Sequence, residues 1–91
     1  MTVVTRSLAR ETAGFADIQE LTEDVSALVG ESGLDSGTVT VFVPGSTGGV
    51  TTVEYEPGLK KDLPEALEKI APSTGKEYHH DAAWGDGNGF S

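Results

Sequence analysis

The sequence predicts an α+β domain with two helices and a small sheet that is mostly antiparallel or mixed. Apolar and polar residues alternate in two runs, Thr38–Val43 and Val50–Glu56, and this period of two is typical of strands. The segment that joins the runs is too short for a parallel crossover. Apolar residues in Leu59–Ile70 recur at helical spacing instead. With one more strand and one more helix in the first half, the predicted order is β, α, β, β, α.

The first half of the chain is predicted to hold a strand and a short helix. Residues 2–12 include several β-branched side chains and contain no Gly or Pro, which favours a strand. Thr22 precedes two acidic residues and is expected to cap a helix. The apolar face of this helix is formed by Val25, Leu28 and Val29, and Gly30 or Gly33 is expected to end it.

The second half is predicted to hold the strand pair, a helix and a tail. Residues 44–49 are rich in Gly and are expected to form the turn between the two strands. In the second helix, Asp62 is expected to be the cap, so that Pro64 falls near the start, and Pro72 is expected to stop the helix. Residues 73–91 lack apolar periodicity and are expected to be a loop-rich tail of one single domain, residues 1–91.

Composition excludes several classes of function. The chain has 91 residues, six Lys and Arg against fifteen Asp and Glu, and a formal net charge of −9, which disfavours nucleic acids and anionic membranes as partners. It has no Cys, so disulfide scaffolds and thiolate zinc sites are excluded. No apolar run approaches the length of a membrane span, and the first residues lack the pattern of a signal peptide. We expect a cytoplasmic protein.

Three groups of residues could carry chemistry, and each has a plainer interpretation. His79 and His80 lie among carboxylates and could bind a divalent cation or transfer protons, or they could be solvated loop residues. Ser46 and Thr47 lie in the Gly-rich turn and could contact a phosphate, or the turn could only connect strands. Glu54 could line a pocket or simply face solvent. Trp84 and Phe90 are interpreted as anchors for packing or for a subunit contact.

The order of several short segments resembles the YjbQ-like family of secondary thiamine-phosphate synthase enzymes. The segments are Gly14–Ile18, Gly37–Pro44, Asp62–Pro72, Tyr78–Asp81 and Asp86–Gly89. This resemblance covers nearly the whole chain. It implies an α+β fold, a homotrimer, and an activity that joins a pyrimidine diphosphate to a thiazole phosphate. It also implies a pocket lined by histidines that can hold a metal ion or an anion.

Residue by residue, the resemblance assigns a candidate site. His80 matches the histidine of the family's Tyr-x-His motif, and Asp86 and Asn88 fall in its Asp-Gly-Asn-Gly segment. We expect His80 and Asp86 to be catalytic and to hold a divalent cation, zinc or magnesium. Ser46, Thr47, Glu54 and Asn88 are expected to bind a phosphorylated small molecule.

The chain departs from the family pattern at two places. Gly45 stands where the family loop commonly has a histidine. The family continues after Asp-Gly-Asn-Gly with a His-x-His segment and further strands, so the resemblance implies that this chain is C-terminally truncated and has an incomplete sheet. The alternative function is a non-catalytic interaction domain that self-assembles through an open sheet edge.

Overall fold

The computed structural model describes residues 1–14 and 16–91 and divides into two units, Met1–Val50 and Thr51–Ser91. The first unit contains α1 (Thr22–Glu31), and the second contains α2 (Pro57–Ile70) and α3 (His79–Trp84). Phe15, which belongs to the first segment of the family resemblance, lies outside the described residues. None of the described helices combines the length and the apolar character that crossing a membrane requires.

The predicted sheet is wrong: the part of the chain that the structure describes contains helices and irregular segments but no strand. The runs Thr38–Val43 and Val50–Glu56 have strand composition, yet Val39 and Phe42 remain 57% and 78% exposed. Strand composition produces a strand only where a neighbouring strand pairs with the backbone and another layer covers one face. Neither condition is met here, so the α+β fold class is replaced by an arrangement of helices.

α1 confirms the predicted helix and corrects its first residue. Its cap position is Leu21, which makes no side-chain capping bond, so Thr22 is the first helical residue. The two acidic residues lie in the first turn, as predicted, where they favour the positive end of the helix dipole. After the helix ends, Gly33 adopts a left-handed conformation with φ of 72°. This confirms Gly33 as the residue that turns the chain away.

Polar contacts hold the segment that precedes α1 against it. The Arg10 guanidinium donates to the Glu20 carbonyl oxygen at 3.2 Å and forms an ion pair with Asp24 in the first turn. The Gln19 amide donates to the Glu11 carbonyl oxygen at 2.7 Å. These bonds replace the strand pairing expected for residues 2–12.

α2 begins five residues before the predicted cap at Asp62. The Glu56 carboxylate accepts hydrogen bonds from the backbone N–H groups of Gly58, at 2.8 Å, and of Leu59. Pro57 occupies the first helical position, where a missing N–H costs nothing. Pro64 therefore lies inside the helix and removes one backbone hydrogen bond.

The end of α2 agrees with the sequence, but the tail does not. α2 ends at Ile70, so Pro72 is confirmed as a stop signal. Residues 73–91 were expected to be a loop, yet α3 forms within them. Gly85 ends α3 in a left-handed conformation with φ of 69°, and its N–H donates to the Asp81 carbonyl oxygen at 2.7 Å. This turn returns the chain toward the start of α3.

Candidate functional site

The candidate site is built on the short segment from Tyr78 to Gly89. The Tyr78 hydroxyl donates to the Pro72 carbonyl oxygen at 2.7 Å, which fixes the segment to the end of α2. α3 then presents His80 and Asp81 in its first turn. The left-handed turn at Gly85 brings the following residues back to these two side chains.

His80 and Asp86 form the centre of the site. The His80 Nε2 atom lies 3.0 Å from Asp86 Oδ2, at hydrogen-bond distance. With its amide nitrogen facing this pair, Asn88 donates to the two carboxylate oxygens of Asp86 at 2.9 and 3.1 Å. The structure thus brings together three of the residues that the family resemblance assigned.

The Asn88 amide gives the imidazole two alternative partners. Its nitrogen also lies 3.0 Å from His80 Nε2. When Nε2 carries a proton, it donates to Asp86; when it does not, it accepts from Asn88. The Nε2 atom of His80 therefore has a hydrogen-bond partner whether it acts as donor or as acceptor.

Asp81 completes a group of three residues whose side chains carry metal-ligand atoms. One ligand atom each from His80, Asp81 and Asp86 lie within 4.8 Å of one another. Asp81 Oδ1 also accepts a hydrogen bond from the Gly89 backbone N–H at 2.7 Å, which fixes the position of its carboxylate. We call these three residues the His80 cluster. One imidazole nitrogen with two carboxylates is a donor set that zinc accepts.

The pKa of Asp86 lies below its ordinary value of 3.8. Partial desolvation is the largest single influence and raises this pKa, but hydrogen bonds from His80 and the Asn88 N–H, with the charge of His80, together outweigh it. Because the pKa of Asp86 is lower in the folded state, these interactions stabilise the fold at pH values above the ordinary pKa of the carboxyl group. This contribution is lost as the pH falls through the lowered pKa.

The pKa of Tyr78 is shifted in the opposite direction. Desolvation first, and then the negative charges of Glu68 and Asp81, raise the pKa of its hydroxyl above 10.0. The hydroxyl therefore stays protonated at neutral pH and remains a donor to Pro72. The bond from Tyr78 to Pro72 therefore persists at neutral pH.

The remaining predicted site residues lie outside the segment Tyr78–Gly89. Ser46 and Thr47 are exposed in a bend of the unit Met1–Val50, after Gly45 with φ of 105°. Glu54 is exposed in the unit Thr51–Ser91 and is not among the grouped donors. Their roles in binding a phosphorylated molecule stay predictions.

The sequence interpretation missed two neighbours of His80. Asp81 lies in the segment Tyr78–Asp81 of the family resemblance but is not among the predicted site residues. Trp84 was interpreted as a packing anchor, yet its ring centroid lies 6.4 Å from that of His80. Helical i, i+4 spacing would have indicated this neighbour, but only if a helix had been predicted there.

Comparison with known proteins identifies the family. The sequence profile described as "UPF0047 protein YjbQ-like" matches residues 6–91. The chain belongs to the YjbQ-like family. The match includes the whole His80 cluster, so the family assignment and the grouped donors concern the same segment of the chain.

One curated relative extends this picture of the YjbQ-like chain. The chain is similar to the UPF0047 protein YugU of Bacillus subtilis (strain 168), with 28% identity over 68 residues. The aligned part is 74% of this chain and 52% of YugU, so the alignment spans about half the length of that relative. No solved structure is similar enough to count as a match.

Proposed function

We propose that this YjbQ-like protein is a secondary thiamine-phosphate synthase-like transferase of the cytoplasm, with His80 and Asp86 at the centre of its site. The observation that supports this best is the convergence of His80, Asp81 and Asp86 in a chain of this family. All three lie in the unit Thr51–Ser91. The proposed ligand is a phosphorylated small molecule.

The charge of the cluster argues for a divalent cation as the partner of the phosphate. Asp81 and Asp86 outnumber the one imidazole, so the cluster alone would repel a phosphate. The donor set fits zinc better than magnesium, because magnesium prefers oxygen ligands and retains several waters. His80, Asp81 and Asp86 would hold the ion. Once bound, it would neutralise phosphate oxygens of the leaving diphosphate.

The proposed reaction needs positioning more than covalent catalysis. A ring nitrogen of the thiazole phosphate forms a bond to the carbon that carries the diphosphate. The carbon–oxygen bond breaks, and the diphosphate leaves with the electron pair. In this reaction His80 and Asp86 would hold the cation beside the leaving diphosphate, where its charge favours departure of that group. Ser46 and Thr47 are proposed to contact phosphate separately.

The test compares two neighbouring histidines. The full chain is incubated with the pyrimidine diphosphate, the thiazole phosphate and zinc, and the joined product is measured by chromatography. We expect His80→Ala and Asp86→Asn to lower the rate at least about tenfold, because each removes a donor from the cluster.

His79→Ala is the matched control for this assay. His79 is the adjacent residue in α3 and does not belong to the grouped donors. We expect this variant to keep the wild-type rate. Equal losses in the two histidine variants, or the absence of joined product from the wild type, would contradict the proposed activity.

A second candidate function is favoured by the surface of the molecule. We propose as the alternative a non-catalytic domain that self-assembles into a homo-oligomer, of which a trimer is one form. Among residues 1–14 and 16–91, none is buried. Association of copies would cover these exposed apolar side chains, but not through the predicted open sheet edge, because the described residues form no sheet.

A further inference from the structure

The peptide bond between Asn88 and Gly89 is polarised at both of its ends. Its N–H group, on Gly89, donates to Asp81 Oδ1 at 2.7 Å. Its carbonyl oxygen, on Asn88, accepts from the Ser91 backbone N–H at 3.0 Å and from the Ser91 hydroxyl at 2.8 Å. Resonance links the two ends of a peptide bond. An acceptor at the nitrogen and two donors at the oxygen therefore favour the same shift of negative charge onto the oxygen.

This peptide bond lies beside an amide side chain that its nitrogen can attack. Asn88 is the one Asn of the sequence, and it is exposed to water. A bond from the Gly89 nitrogen to the side-chain carbonyl carbon of Asn88, Cγ, closes a small ring within the chain, so no second molecule has to be brought into place. Gly89 has no side chain that would hinder this approach.

We propose that Asn88 is a self-modification site, at which the Gly89 nitrogen attacks the Asn88 side chain and ammonia is lost. As the Gly89 nitrogen forms a bond to Cγ, Asp81 accepts the proton of that nitrogen, and the two Ser91 donors stabilise the charge that develops on the Asn88 carbonyl oxygen. The bond from Cγ to the amide nitrogen then breaks, and this nitrogen leaves as ammonia with the transferred proton. Water opens the resulting succinimide ring to an aspartyl or isoaspartyl residue at position 88.

The modification changes the charge next to the His80 cluster. The Asn88 amide donates to both carboxylate oxygens of Asp86. A carboxylate at position 88 has no N–H to donate, and Asp86 repels it. One donor is lost and one negative charge is gained, so the modification alters the site in the way that other charge-changing modifications do.

The experiment follows the intact mass of the full chain during incubation in metal-free buffer. Because the sequence has one Asn, the mass gain from replacing an amide by a carboxyl group reports on position 88, and peptide mapping distinguishes it from the slower reaction of Gln19. The same chain unfolded in guanidinium gives the rate without the three hydrogen bonds. We expect several-fold faster conversion in the folded chain. Equal or slower conversion in the folded chain would overturn the proposal.

Two variants test the two ends of the peptide bond. Asp81→Ser removes the proton acceptor and is expected to lower the folded rate to the unfolded rate. Because this variant also loses the bond that closes the loop, Ser91→Ala decides between acceleration and a merely structural role. It removes one donor to the carbonyl oxygen and is expected to slow conversion of the folded chain about fivefold, with the unfolded rate unchanged.

Ser32→Ala is the matched control for the hydroxyl. The Ser32 hydroxyl donates to the Val29 carbonyl oxygen at 2.6 Å, across the same spacing in the chain, but in the other unit. We expect this variant to convert at the wild-type rate. Wild-type conversion in Ser91→Ala, or equal slowing by the two serine variants, would contradict the assigned role of the Ser91 donors.

Discussion

The backbone of Gly89 contacts the His80 cluster directly. Its N–H donates to Asp81 Oδ1 at 2.7 Å. A Cβ atom added at this position would lie 2.6 Å from the Tyr78 Cβ and 3.0 Å from Asp81 Oδ1. The first distance is shorter than real Cβ contacts and the second is tight, so the close approach of this loop to α3 favours a glycine at this position.

We therefore expect Gly89→Ala to open the loop and to destabilise the segment by about 1–3 kcal/mol. Amide hydrogen exchange of residues 78–89 measures the effect, which should appear as faster exchange at Asp86 and Asn88. Gly49→Ala is the control, because a Cβ at Gly49 meets no atom within 4 Å. Unchanged exchange in Gly89→Ala would contradict the close packing of this loop.

At the scale of elements, α2 depends on a carboxylate cap. Glu56 accepts hydrogen bonds from the backbone N–H groups of Gly58 and Leu59, which have no partner within the helix. Glu is an uncommon cap residue, and its longer side chain reaches back over the first turn. The apolar face contributes little in the last turns of α2, since Leu67 and Ile70 are 51% and 78% exposed. The cap is therefore a main local stabiliser of the helix.

We expect Glu56→Ala to reduce the stability of α2 by about 1 kcal/mol, because two N–H groups lose their acceptor. Loss of helical circular dichroism during denaturation measures this. Glu56→Gln keeps one carbonyl acceptor and should retain part of the stability. Glu65→Ala, at an exposed position inside α2, is the control and should leave it nearly unchanged. Equal effects at the two positions would exclude the cap.

The elements that the sequence predicted correctly are those with local signals. The spacing of Val25, Leu28 and Val29 sufficed for α1, and Pro72 sufficed for the end of α2. Strands depend on distant partners, which local alternation in Thr38–Val43 does not specify. α3 was missed because six residues are too few to show a helical period.

The same distinction holds for the candidate site. His80, Asp86 and Asn88 could be assigned from a family motif in one short segment, and the structure brings them together. Asp81 and Trp84 join them only through the helical turn and the left-handed Gly85, which the sequence did not indicate. Ser46 and Thr47 lie in the other unit, where a Gly-rich bend has no specific chemical pattern.

At the scale of the whole molecule, a small acidic chain combines exposed side chains with a compact group of metal-ligand residues. The described residues bury no core. A ligand or a second copy that binds only the folded state would stabilise it by mass action. The proposed cation and the proposed self-association are therefore two physical means of stabilising the same chain.

Native mass spectrometry tests the central claim most directly, because it reports bound metal and the number of chains at once. After incubation with zinc, we expect about one ion per chain in the wild type and in His79→Ala. His80→Ala should lose it because the imidazole ligand is gone, and Asp86→Asn should bind it much more weakly because the amide carries no charge. Absence of zinc from the wild type, or equal zinc content in the two histidine variants, would contradict the assignment of the His80 cluster as the functional site.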